Sequence, residues 1–102
     1  MKICIYGAGA IGGYLGAKLT EIGADVTLIA RGPHYNAIKQ DGLRLRKDGK
    51  ELIVYPKCVD TAEKAGKQDF IFVTLKAHSV PGCLDAFKVL KKDDTSFVWG
   101  VN

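Results

Sequence analysis

Long hydrophobic runs are missing from this 102-residue chain. No apolar stretch approaches the roughly 20 residues that a bilayer-spanning helix needs, so no membrane partner is expected. The start does not resemble a secretory leader either. Met1-Lys2 passes straight into an apolar strand pattern, with no leader-type hydrophobic core and no small-residue cleavage site. Cysteine is sparse. Cys4, Cys58 and Cys83 are odd in number and show no C-x-x-C spacing. That argues against a metal site or a disulfide framework and for a reducing, cytoplasmic setting. Cys4 falls inside the first strand pattern and is expected to behave as a small apolar residue. There is no internal repeat, linker or low-complexity tract. What remains, 47% apolar and 25% charged residues, is ordinary for one folded domain.

The formal charge of +4 has no focus. Basic residues run from Lys2 to Lys92, and the only local cluster, Arg44, Arg46, Lys47 and Lys50, is interrupted by Asp48 and followed by Glu51. This is the pattern of a solvated hairpin, and no nucleic-acid partner is expected. A modest positive balance also suits a small polyanionic ligand.

The most informative segment is at the start. Lys2-Ile3-Cys4-Ile5-Tyr6 reads as a strand, Gly7-Ala8-Gly9-Ala10-Ile11-Gly12 follows at once with G-x-G-x-x-G spacing, and an apolar helical pattern continues to Gly23. In that context each glycine has a task. Gly7 permits the tight turn off the strand, Gly9 lets the backbone approach a pyrophosphate, and Gly12 lets the helix pack closely on the sheet. The helix N-terminus adds unpaired N–H groups and a partial positive charge. Residues Gly7, Ala8, Gly9, Ala10, Ile11 and Gly12 are therefore the candidate dinucleotide-phosphate loop.

Ile11, Tyr14, Leu15, Leu19 and Ile22 recur at helical spacing, predicting a helix from Ala10 to Ile22 closed by Gly23. Asp25 to Ala30 reads as a buried parallel strand, completing a right-handed strand–helix–strand crossover. Pro33 opens a short helix over His34 to Gln40, broken by Asp41-Gly42. Leu43 to Arg46, a turn at Lys47-Asp48-Gly49-Lys50, and Glu51 to Tyr55 predict a β-hairpin. Part of its second arm, or Pro56 to Val59, should supply the outer parallel strand. Asp60 is a candidate cap for a helix through Ala65, ending at Gly66. Asp69 to Leu75 is a strand, Val80 to Leu90 a helix, and Thr95 to Val101 the last strand. The alternation predicts an α/β doubly wound, Rossmann-type, mostly parallel sheet with a small hairpin insertion. The last strand runs out at Asn102, at the end of the sheet where such folds hold their ligands. The chain is therefore expected to be a fragment of a longer protein.

NAD-preferring domains usually place Asp or Glu at the end of the second strand for the ribose 2′-OH. Here the sequence is Ala30-Arg31-Gly32, with no carboxylate. A guanidinium can instead pair in bidentate fashion with a 2′-phosphate, so the expected cofactor is NADP, with Arg31 its reader. His34 and His78 have no carboxylate partner in an obvious arrangement and are expected to do no chemistry. Tyr6 and Trp99 are expected to pack rather than to stack on a ligand.

Lys2 to Tyr14 around the glycine loop, Ala30-Arg31-Gly32, Gly42-Leu43-Arg44-Leu45, Val73-Thr74-Leu75-Lys76-Ala77-His78 and the terminal Val101-Asn102 together resemble the ketopantoate reductase (2-dehydropantoate 2-reductase) family. Val73 to Ala77 is the most specific part of the resemblance, which covers essentially the whole chain. The family is about three times longer, and its helical C-terminal domain is absent here. The resemblance implies NADPH-dependent reduction of a small-molecule 2-oxo acid, with ketopantoate to pantoate in pantothenate synthesis as the type reaction. It also implies that Lys76 lies at the cofactor and active-site mouth, and that Asn102 touches both the nicotinamide ribose and the substrate. The family's proton-donating lysine and a substrate-binding glutamate lie in the C-terminal domain, so no catalytic residue is assigned in this chain and little reductase activity is expected of it alone. Trp99-Gly100-Val101 departs from the glutamine that better-known members carry before the asparagine. Alternatives from other classes are a stand-alone NADP-binding or sensing module without catalysis, and another β-hydroxyacid- or polyol-type dehydrogenase. The uncharged last strand leads to the expectation that the isolated chain either self-associates as a homo-oligomer through that strand or is a fragment of a longer polypeptide.

Overall fold

The computed structural model describes residues 1–75 and 79–100. Its centre is a five-stranded parallel sheet of β1 (Lys2–Tyr6), β2 (Asp25–Ile29), β5 (Lys57–Val59), β6 (Phe70–Val73) and β7 (Ser96–Trp99). The strand order is β5-β2-β1-β6-β7. β3 (Leu43–Lys47) and β4 (Lys50–Val54) form a separate antiparallel hairpin. The doubly wound sheet and the hairpin insertion are those expected from the sequence.

Both faces of the sheet are covered, which explains why its strands are apolar at successive rather than alternate positions. On one face Cys4, Tyr6, Ile29, Ile71 and Val73 pack with Phe87 and Leu90 of α4 (Leu84–Leu90) and with Ala62 and Ala65 of α3 (Ala62–Ala65). On the other, Ile5, Val26, Leu28 and Cys58 pack with Ala17 of α1 (Ala10–Glu21), Ile38 of α2 (Gly32–Asp41) and Leu43 of the hairpin. Cys4 is fully buried, and burial pushes its thiol up to about 12, so it acts as the apolar residue expected. All three cysteines are buried and unpaired.

Several boundaries shift for local reasons. The outer parallel strand is β5, paired with β2, while Glu51 to Val54 stays with the hairpin. Asp48 and Gly49, at φ 53 and 75, make the left-handed two-residue turn that suits a hairpin's twist. α3 is capped by Thr61, whose Oγ1 accepts the Lys64 N–H at 3.4 Å, and not by Asp60. The Asp60 carboxylate takes the Lys64 ammonium instead, at 2.8 Å. The predicted helix over Val80 to Leu90 opens as a 3₁₀ turn at Pro81–Cys83 before α4 begins. α1 ends with the Gly23 and Ala24 N–H groups bonded back to the Thr20 and Leu19 carbonyls, a Schellman closure. Among the described residues no helix is long and apolar enough to cross a membrane.

Asp69 ties three strands together at their amino ends. Its carboxylate accepts the Lys2 N–H at 2.6 Å and pairs with Lys92, and its carbonyl accepts the Ser96 N–H at 3.0 Å. The Lys92 ammonium and then the Lys2 N–H hold the carboxyl below its ordinary range. A carboxylate of this kind stabilises the fold above its unfolded-state value near ~3.9, and the contribution is lost as pH falls through the lower folded value. Asp69→Asn is therefore expected to lower the denaturant midpoint at neutral pH. The gap from wild type should close as the pH is taken toward about 2. A gap that stays constant across that range would show that the charge is not what Asp69 contributes.

Candidate functional site

The strand order reverses between β1 and β6, and in a doubly wound sheet the crevice at the carboxyl ends of those strands is the binding position. The glycine loop leaves β1 at this point. Gly7 continues the ladder by donating its N–H to Ile29 O at 3.1 Å, then turns at φ 108. The backbone angle requires glycine, and a Cβ there would also push on Leu75 Cδ2 at 2.9 Å. At Gly12 a Cβ would collide with the Gly7 carbonyl and reach 2.5 Å from Thr74 Oγ1. This is the close helix–sheet approach that the spacing predicted.

Gly9 differs, because a Cβ there would meet nothing within 4 Å. No atom of the described protein requires glycine at this position; a ligand lying against the loop would. Gly9 is the N-cap of α1, and its carbonyl accepts the Gly13 N–H at 2.7 Å. The N–H groups of Gly9, Ala10, Ile11 and Gly12 are left without intrahelical acceptors. No side chain caps them and the first turn carries no acid. The loop therefore fits a phosphate-bearing group, with the helix dipole directed at it.

Thr74 holds this arrangement in place. Its N–H donates to Tyr6 O at 3.1 Å and its Oγ1 donates to Gly7 O at 2.8 Å, fastening the loop to the end of β6. The sequence reading gave Thr74 no role. Its signal was a hydroxyl directly after an apolar strand that neighbours the glycine loop.

A pocket of about 360 Å³ opens beside the loop. It is lined by Tyr6, Gly7 and Ala8 at the end of β1, by Ala30, Arg31 and His34 after β2, and by Leu75, Ser79 and Cys83 after β6. Arg31 is the N-cap of α2 and is exposed, while His34 lies one turn on. No carboxylate lines the pocket among the described residues. Burial, then the Cys83 thiol, raises the Tyr6 hydroxyl, and the Arg31 guanidinium opposes them. Tyr6 packs as expected, edge-on to Phe87 with centroids 5.3 Å apart. Trp99 stacks on Phe97 at 6.0 Å but remains 54% exposed. Structure thus joins Gly7, Ala8 and Arg31 in one pocket, while Gly9 to Gly12 continue the loop into α1 and do not line it. It also adds His34, which the sequence reading had set aside. Lys76, His78 and Asn102 lie outside the described residues.

A parallel sheet of this order, with G-x-G-x-x-G at its switch point, defines a Rossmann-type domain. The family model for ketopantoate reductase PanE/ApbA matches residues 3–99. The chain belongs to that family. It is 48% identical over 99 residues to the 2-dehydropantoate 2-reductase of Mesorhizobium japonicum, covering 96% of this chain and 30% of that protein. Among solved structures, the 2-dehydropantoate 2-reductase of Geobacter metallireducens superposes with a TM-score of 0.91 at 28% identity, covering all of this chain and 34% of that one. A D-mandelate dehydrogenase solved with NADH and anilino(oxo)acetate superposes at 0.89 with 33% identity, again covering all of this chain and 34% of that one. The chain thus spans about a third of the length of the relatives it matches.

The loop geometry separates its glycines experimentally. Gly12→Ala is expected to cost about 1–3 kcal/mol of stability, because a backbone carbonyl must move. Gly9→Ala, which meets open space, should cost less. Denaturant midpoints of the two variants make the comparison; the reverse order would contradict the packing described.

Proposed function

We propose that this chain is the NADP-binding domain of a longer two-domain, cytoplasmic reductase that converts a 2-oxo acid to a 2-hydroxy acid. Ketopantoate, reduced to pantoate in pantothenate synthesis, is the substrate the family suggests. One observation carries the cofactor choice: the wall at the end of β2 presents Arg31, with no carboxylate, into the same pocket as the glycine loop. The N–H groups of Gly9 to Gly12 would bind the pyrophosphate, and the Arg31 guanidinium the 2′-phosphate. Family resemblance adds Lys76 and Asn102 at the nicotinamide end, with Asn102 also reaching the substrate. When bound, NADPH supplies the hydride. The chain's own contribution is to bind, orient and hold the cofactor against the crevice, while the proton donor belongs to the rest of the enzyme.

The D-mandelate dehydrogenase solved with NADH makes NADH the competing choice, and Arg31 is where the two part. Arg31→Ala is expected to weaken NADPH by about 1.5–3 kcal/mol, the range for a hydrogen bond to a charged group, and to leave NADH nearly unchanged. Fluorescence titration of both cofactors reads this directly. Equal losses for the two would refute the 2′-phosphate role.

The reading includes self-association. β7 is a sheet edge that carries no charge, with Val98 41% exposed and Trp99 54% exposed. A second copy pairing along this edge would satisfy its free backbone groups. Light scattering over a concentration series should show association that Val98→Lys suppresses; a chain that stays monomeric throughout would overturn it.

A further inference from the structure

His34 lies on the first turn of α2, three residues after Arg31, and residues at that spacing share a helix face. Both side chains line the pocket beside the glycine loop. No side chain caps the N–H groups at the start of α2 and its first turn has no acidic residue, so that helix end is itself unneutralised. Among the described residues the groups facing His34 are few. Arg31 comes from its own turn, Tyr6 and Cys83 line the far walls, and Asp41 and Arg44 share a shallow depression on its other side. The only carboxylate among them, Asp41, lies at the opposite end of α2 and does not line the main pocket.

We propose that His34 is a second reader of the 2′-phosphate, making the preference for the phosphorylated cofactor rise as pH falls. This rests on the dinucleotide reading above. Imidazole is the side chain that gains charge between pH 5 and 8. In its charged form both ring nitrogens donate, and a donor beside Arg31 would give the 2′-phosphate a second charge-assisted hydrogen bond. Neutral imidazole would give at most one bond, from an uncharged donor. Arg31 supplies the part of the preference that does not vary with pH, and His34 the part that does.

The test is isothermal titration of adenosine 2′,5′-bisphosphate and of 5′-AMP against wild type, His34→Gln and His34→Arg at pH 6 and pH 8. Protonation of the ligand's own phosphates is common to all three proteins and cancels in their ratios. At pH 6 wild type should bind the bisphosphate about three- to tenfold more tightly than His34→Gln, and at pH 8 the two should converge. His34→Arg should retain the tighter binding at both pH values, and 5′-AMP should not distinguish the proteins. If wild type and His34→Gln keep a constant ratio while both favour the bisphosphate, His34 is not a reader and the cofactor reading survives. If wild type does not favour the bisphosphate over 5′-AMP at either pH, both readings fall.

Discussion

The binding edge of this domain depends on one close approach. α1 meets the turn after β1 so tightly that Gly12 cannot carry a Cβ without striking the Gly7 carbonyl, and Thr74 Oγ1 fills the space beside it. The same hydroxyl donates to that carbonyl, so the contact is a hydrogen-bonded junction of three elements rather than a void. The helix axis, the loop and the end of β6 are fixed relative to one another before any ligand arrives. Preorganised N–H groups need no rearrangement to receive an anion, which is why the junction matters to binding as well as to stability. Gly7, Gly12 and Thr74 serve the protein's own packing, and of the three motif glycines Gly9 is the one that leaves room for something else.

The sheet keeps that junction rigid. β1 is paired on both sides, with β2 and β6, and its residues face apolar cores above and below. Ile5, Leu28 and Ile71 are fully buried. A side chain of that kind contributes about 1.5–3 kcal/mol on burial, so the central strands are the least free to move. The periphery is more open. β5 has three residues, α3 has four, and β7 leaves Val98 and Trp99 in solvent.

Much of this was legible in the sequence because it rests on local chemistry. The glycine spacing, the apolar strands and the Asp48-Gly49 turn each dictate a conformation within a few residues, and each appears where expected. What the sequence did not show depended on partners far along the chain. Thr74 gains its role from Gly7, 67 residues away. Thr61 and Asp60 are both reasonable caps by residue type, and Lys64 decides between them by engaging the Asp60 carboxylate. Whether β5 or the hairpin's second arm joined the sheet was likewise a question of tertiary pairing. His34 was dismissed for want of an acidic partner, although a site for an anion should lack one.

That last point bears on how such domains come to differ. A D-mandelate dehydrogenase structure solved with NADH shares the fold at a TM-score of 0.89. The scaffold therefore does not set the cofactor, and the phosphate loop does not either, because the pyrophosphate is common to both nucleotides. On the proposed reading, discrimination comes from the end of β2 and the start of α2, where Arg31 and His34 line the pocket from one exposed turn. Arg31 also meets the buried Tyr6 hydroxyl, so a substitution there is felt at the pocket as well as in solvent. The packing of this edge rests on Gly7, Gly12 and Thr74, and the proposed cofactor choice on side chains at the start of α2.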